Sequence, residues 1–140
     1  MKRYVAEPGS DVVDRILTPV GGPPRYVAET ALVEVISALH RRGRRAGIRA
    51  SSAAQIERFR RELPRLAAIV AVSGEVIQLA SELAERRVLR GYDAVQLAAA
   101  CVVSAERVRL GGGPLVMVSA DAELNAASVA EGIDVLDPTQ

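Results

Sequence analysis

The chain has 140 residues, 49% of them hydrophobic and 25% charged, which is typical of one globular, soluble domain and argues against disorder. No apolar run reaches the roughly 18 residues that a membrane span needs, and the N-terminus lacks a signal-peptide core. We therefore expect a cytoplasmic protein with no membrane partner, in which the single cysteine, Cys101, is a small core residue without a disulfide.

The net charge of +1 conceals an uneven distribution along the chain. Residues 40–66 contain nine arginines and two glutamates, a local charge of +7, whereas residues 110–140 contain five acidic residues and no basic one. Such polarity is typical of a protein that binds a polyanion at one surface and a cation at another. Solvated helix faces would give the same pattern, so both interpretations stay open at this point.

The chain begins with a helix signal. Ser10 or Asp11 can cap a helix that runs to about Leu17, and the loop TPVGGPP follows it. RYVA, at 25–28, is a short strand candidate. An α/β sheet usually places its first strand centrally, yet no strand signal precedes the first helix. We therefore predict that an opening strand is missing from this chain.

Two helices follow the first strand candidate. Thr30 starts an apolar-rich helix through about Arg45, which Gly43 or Gly47 closes. The serines at 51–52 cap the next helix, whose apolar residues recur at a spacing of three to four.

The second half of the chain continues the alternation of strand and helix. Continuous apolar runs of this length are typical of buried parallel strands. The predicted strands lie at 68–72, 115–119 and 133–137, and the predicted helices lie at 75–87, at 92–109 and after the capping residue Asp121. This order predicts one α/β domain, residues 1–140, whose parallel sheet has helices on both faces.

Three acidic residues lie in apolar surroundings and need an explanation. Glu34 lies in ALVEVISAL, Asp93 in GYDAVQLAAA, and Asp121 directly follows an apolar strand, where α/β sheets bind ligands. Asp93 and Asp121 lie near helix starts and could be caps or partners of the helix dipole. Glu34 is mid-helix, so capping does not explain it, although it could be solvated at the edge of the apolar stripe.

Taken together, the three carboxylates favour a cation site. They would repel one another and have raised pKa values unless a cation held them. Mg²⁺ or Mn²⁺ is the natural choice because both prefer oxygen ligands, while one histidine and one cysteine make zinc improbable. Carboxylate-held Mg²⁺ serves phosphodiester hydrolysis, and the arginine-rich segment would bind the phosphate backbone.

Four segments in order resemble the PIN-domain family, in particular the VapC-type toxins of bacterial toxin–antitoxin pairs. KRYVAEPGSD is similar to the segment after the family's first strand, and ALVEVISALHRR to the helix with its Glu. LRGYDAVQLAAA resembles the helix with the central Asp, and VSADAELNAASVAEGIDVLDP the strand, acidic residue and closing strand. The resemblance runs from residue 2 to about residue 138 and implies a three-layer α/β/α fold with a small, mostly parallel central sheet.

By this resemblance, Glu34, Asp93 and Asp121 map onto three members of the family's acidic site. They would hold Mg²⁺ or Mn²⁺ for endoribonucleolytic cleavage of RNA, and a cognate antitoxin would block the site of a homodimer. Part of the basic segment would contact the RNA, at Arg41, Arg42, Arg44 and Arg45.

The chain departs from the family pattern at its N-terminus. The family's first strand, Asp-x-Ser-Ala-Leu-Val, and the ligand Asp on it have no counterpart here, and neither Asp11 nor Asp14 replaces it. Either the start codon is assigned too late, or the chain is a degenerate relative that only binds a partner or dimerises. A third hypothesis is DNA binding by the arginine-rich segment alone, although no helix-turn-helix pattern supports it.

Overall fold

The computed structural model describes residue 4, residues 6–18 and residues 21–140. Parts of the predicted loop TPVGGPP and of the segment KRYVAEPGSD lie outside these residues. The described elements are α1 (Ser10–Leu17), β1 (Tyr26–Ala28), α2 (Thr30–Arg45), α3 (Arg49–Leu66), β2 (Ala68–Val70), α4 (Gly74–Arg87), α5 (Gly91–Arg109), β3 (Val116–Val118), α6 (Ala122–Ala130) and β4 (Asp134–Leu136). The chain divides into two compact units, Met1–Val70 and Ala71–Gln140.

The first unit contains α1 to α3 and a two-stranded parallel sheet. Tyr26 of β1 lies opposite Ala68 of β2, and the ladder continues where the Glu29 N–H donates to the Val70 carbonyl at 3.0 Å. Leu39 and Phe59 are almost fully buried. Burial of each such side chain contributes about 1.5–3 kcal/mol, so these two residues dominate the core of this unit.

The contact between α2 and α3 depends on one glycine. Gly43 is buried inside α2, and a Cβ at this position would lie 2.7 Å from the Ser52 Oγ. The Ser52 hydroxyl donates to the Leu39 carbonyl at 2.6 Å. The prediction that the serines at 51–52 cap α3 is wrong, because α3 begins at Arg49 and Ser52 bonds across to the neighbouring helix. Of the two glycines predicted to close α2, Gly43 lies inside the helix, and Gly47, with a φ of +67°, lies in the turn after it.

The second unit is built on α4, α5 and α6. Ser73 caps α4, accepting a hydrogen bond from the Val76 N–H at 3.3 Å. The buried face of α4 is formed by Val76, Ala80 and Leu83, which are at most 5% exposed. On α5, Leu97 is fully buried beside small buried alanines, which allow helices to pack closely.

The turn between α4 and α5 has an unusual backbone. Val88 ends α4 in the left-handed region, with φ 56° and ψ 37°, and leaves 86% of its surface exposed. Glycine is the usual residue in this conformation, since the Cβ of a branched residue is crowded there.

Among the described residues, no single helix is long and apolar enough to span a membrane; α4 and α5 pass that test only as a pair, bent by 119°.

The strands of the second unit also pair in parallel, with Val116 of β3 opposite Asp134 of β4. The alternation of helices and parallel strands is confirmed as a mixed α/β architecture that is mostly helical. The prediction that the strands are fully buried is wrong: Ile69 and Val116 are 42% and 47% exposed, because each sheet has only two strands of three residues. The three-layer PIN-like arrangement stays a prediction.

Candidate acidic site

Asp93 lies in the first turn of α5, after Arg90 as the N-cap residue. Its carboxylate is half-buried and, among the described residues, receives no hydrogen bond and no salt bridge. A hydrogen-bonded cap is therefore not its role, although its place in the first turn still favours negative charge. Partial burial without a hydrogen-bond donor from the described residues disfavours the ionised form of this carboxyl.

Electrostatics link Asp93 to the start of α6. Burial raises the pKa of the Asp93 carboxyl, and the charges of Asp121 and Glu123 raise it further, whereas Arg90 acts in the opposite direction. Like charges near a carboxyl disfavour its ionised form, and a nearby cation would favour it. Asp121 thus lies within electrostatic range of Asp93. The prediction that the two carboxylates share a cation stays a prediction. Glu123, which is exposed on α6, was not predicted.

Asp121 is held at a defined position between β3 and α6. Its Oδ1 accepts a hydrogen bond from the Leu124 N–H at 2.9 Å, and its own N–H donates to the Ser119 Oγ at 3.0 Å. The predicted cap is confirmed. Its second carboxylate oxygen accepts no hydrogen bond from the described residues, so capping and ligand binding use different oxygens of one side chain.

Asn125 adds an oxygen that sequence reasoning missed. Its Nδ2 donates to the Ser119 carbonyl at 2.9 Å, while its Oδ1 is buried and has no hydrogen-bond partner within the described part of the chain. Buried acceptors are almost always satisfied, so an orphaned amide oxygen indicates a ligand or water. Asn125 lies four residues after Asp121 and shares its face of α6. In the sequence, the available signal for Asn125 is its position four residues after an aspartate that ends a strand.

Glu34 lies in the middle of α2, in the first unit. Its side chain is half-buried, while the preceding residue, Val33, is 59% exposed. The position is intermediate between the apolar stripe and solvent, as its flanking residues suggested. Its membership of the acidic site stays a prediction.

The predicted RNA-contacting arginines are exposed around the C-terminal end of α2, at Arg41, Arg42, Arg44 and Arg45. Arg41 Nη1 donates to the Ser37 Oγ at 2.8 Å. Arg41, Arg42 and Arg45 line a groove, whereas Arg44 does not.

Cys101 is not the core residue that the sequence predicted. It is half-buried on α5 and lines an open groove with Ser104, Glu131 and Ile133. Burial, and then the charge of Glu131, raises the pKa of the thiol, so it stays protonated at neutral pH. Nucleophilic chemistry at this cysteine is therefore not supported, because the thiolate is the reactive form.

Among the described residues, no group of three or more histidine, cysteine, aspartate or glutamate side chains is arranged to hold a metal ion. The acidic site consists of Asp93 on α5 and Asp121 at the start of α6. Glu123 and the Asn125 Oδ1 lie on α6. In comparison with known proteins, the chain matches no family model, no curated protein and no solved structure.

Proposed function

We propose that the protein is a Mg²⁺- or Mn²⁺-dependent endoribonuclease of the PIN kind, the toxin of a toxin–antitoxin pair. One observation carries the proposal: the half-buried Asp93 carboxylate receives no hydrogen bond from any described residue and lies in the electrostatic field of Asp121. A divalent cation would remove the cost of this arrangement, since it favours the ionised form of both groups.

The available donor atoms fit such a cation. Asp93 and the second oxygen of Asp121 are carboxylate donors, and the Asn125 Oδ1 is a buried amide oxygen without a partner among the described residues. Hard divalent cations prefer this oxygen-only set. The resemblance to the family alone implies Glu34 as a third carboxylate. When bound, the metal would activate water and stabilise the leaving oxygen of the phosphodiester.

The protein itself would supply orientation and field. Asp121 is fixed by the Ser119 hydroxyl and the Leu124 N–H, so it would need little reorganisation to bind a ligand. The arginines near the end of α2 would attract the RNA backbone. We further propose that a cognate antitoxin blocks the acidic site and that the protein forms a homodimer.

Metal binding is tested first through stability, independently of any RNA. A ligand that binds only the folded chain stabilises it by about 1.4 kcal/mol at ten times its Kd. We expect Mn²⁺ to raise the free energy of unfolding of the wild type and of Asp134→Asn, which removes an exposed carboxylate on β4. Asp93→Asn should show no such gain. An equal gain in all three proteins, or none in the wild type, contradicts metal binding at Asp93.

Cleavage is then measured on total RNA with Mn²⁺ for the same three proteins. Loss of activity in Asp93→Asn, with retention in Asp134→Asn, is the expected result. Equal cleavage by Asp93→Asn and the wild type assigns the activity to another site or to a contaminant.

A second function has its own support. Because no three-acid group is arranged for a metal among the described residues, a degenerate PIN-like module that only binds or dimerises is the alternative. This module predicts a stable dimer or partner complex, no cleavage, and a response to Mn²⁺ that is identical in wild type and Asp93→Asn. Sedimentation velocity together with the stability measurement separates the two functions.

A further inference from the structure

A groove in the first unit combines positive charge with an apolar floor. Its volume is about 520 Å³, which is within the range of small-ligand pockets. The residues that line it are Ala38, Arg41, Arg42, Arg45, Ala46 and Ile48. All polar side-chain atoms of this lining are hydrogen-bond donors, so a ligand must supply acceptors.

The arginines of this groove make no salt bridge within the described part of the chain. Residues 35–56 contain five arginines and no acidic residue. Elsewhere in the same unit, Arg15 pairs with Asp11 at 3.2 Å and Arg60 with Glu57 at 2.7 Å. The positive charge around the groove is therefore not balanced locally.

The end of α2 accounts for only part of this charge. A helix C-terminus carries about half a negative charge, which is small beside five guanidinium groups. Two of the terminal carbonyls are already bonded: Arg42 accepts from the Ala46 N–H at 2.9 Å, and Gly43 from the Ile48 N–H at 3.0 Å. A strong field for anions remains at the groove.

We propose that this groove binds single-stranded nucleic acid. It would hold one nucleotide of the strand, with the backbone phosphates on either side contacting Arg41 and Arg45. The planar guanidinium group matches phosphate geometry and also stacks on exposed bases. Ile48, which is 44% exposed, supplies an apolar surface for a base. These groups take the role that aromatic side chains play in other single-strand binders, since only 3% of this chain is aromatic. A duplex keeps its bases stacked inside and would leave the apolar floor uncovered.

This inference rests on the RNA contact that the proposed function gives to the arginines near the end of α2. Because the binding requires neither a metal nor the acidic site, it can succeed or fail separately from cleavage. The test uses a labelled eight-nucleotide oligouridine in EDTA, with fluorescence anisotropy at several salt concentrations. Each lost phosphate contact reduces the salt slope by about 0.7 for a single strand. The double variant Arg41→Gln/Arg45→Gln should bind about tenfold more weakly, with a slope smaller by about 1.4.

The matched control is Arg15→Gln/Arg60→Gln, which removes the same net charge from the same unit. We expect its affinity to stay within about twofold of the wild type, since these arginines are exposed and paired to carboxylates outside the groove. Circular dichroism is used to check that both double variants are folded. Equal weakening in the two double variants would mean that only net charge matters and would overturn the proposal.

A second variant tests the base contact separately. Ile48→Ala should weaken binding of the oligonucleotide several-fold and leave binding of inorganic pyrophosphate unchanged, because only the oligonucleotide has a base to lose. An eight-residue glutamate peptide and an eight-base-pair duplex complete the set, and both should bind more weakly than the oligouridine. Equal or tighter binding of the peptide or of the duplex contradicts the proposal.

Discussion

Adding one methyl group at Gly43 tests how closely α2 and α3 approach each other. In Gly43→Ala the new Cβ would lie 2.7 Å from the Ser52 Oγ and nearer still to the Ser52 Cβ, closer than real side chains come. Ser52 is 4% exposed and its hydroxyl is committed to the Leu39 carbonyl, so it has no open space to move into. The two helices must therefore separate, or the hydrogen bond must break.

Three contributions determine the size of the effect. Overpacking of a close contact costs about 1–3 kcal/mol. Loss of the buried Ser52 hydrogen bond costs about 1 kcal/mol more, and the better helix propensity of alanine returns about 1 kcal/mol. We expect Gly43→Ala to reduce the free energy of unfolding by about 1–3 kcal/mol.

The assay is urea unfolding followed by circular dichroism. Gly74→Ala is the matched control, because its new Cβ at the start of α4 meets no atom of the described residues within 4 Å, and it should be neutral or stabilising. Combining Gly43→Ala with Ser52→Gly should recover part of the loss, as the two side chains compete for one space. A Gly43→Ala protein as stable as Gly74→Ala would refute the close contact between the helices.

Three further predictions concern the second unit. Val88→Gly should stabilise the chain by about 0.5–1 kcal/mol in urea unfolding, because it relieves the left-handed turn and removes only an exposed side chain; a loss of stability would contradict this. Glu131→Gln should cost about 1–2 kcal/mol, since this mostly buried carboxylate accepts from Arg87 Nε at 2.9 Å. Glu106→Gln, at a salt bridge on the exposed surface, should cost clearly less. Asp93→Asn should be more stable than the wild type at neutral pH in metal-free buffer, with the difference disappearing below about pH 4.

The sign of the last prediction follows from the raised pKa of Asp93. The folded chain holds this proton more tightly than the unfolded chain, so the free energy of unfolding falls as the pH rises from the unfolded value through the folded one. Asparagine has no proton to lose and avoids this fall. Urea unfolding of both proteins from pH 4 to pH 8 measures this fall in the free energy of unfolding. Parallel curves for the two proteins would mean that the pKa of Asp93 is not raised in the folded chain.

Local signals in the sequence predicted the elements well. The bounds of α4, α5 and β1 and the Asp121 cap depend on neighbours within a few residues. The cap is confirmed, and the predicted bounds agree with the structure to within one residue. The start of α3 was wrong because Ser52 bonds to another helix, a contact that no local pattern encodes. The predicted burial of the strands was wrong for the same kind of reason, since burial depends on which strands pair.

The acidic site shows the same division. Asp93 and Asp121 were singled out because each lies beside apolar residues, and the structure gives them a common electrostatic field. Glu123 and Asn125 were missed, because an exposed carboxylate and an ordinary asparagine carry no signal until α6 places them beside Asp121.

The strained turn at Val88 also provides a natural reporter of local opening. It is surrounded by Arg86, Arg87 and Arg90, at which trypsin can cleave. Arg86 and Arg87 form salt bridges with Glu131 at 3.0 Å and 2.8 Å. Each salt bridge must break before the arginine side chain can enter the specificity pocket of trypsin. Arg90 makes no salt bridge to a described residue. Cleavage after Arg87 relative to cleavage after Arg90 therefore measures how often the Glu131 interaction breaks, without any label on the protein.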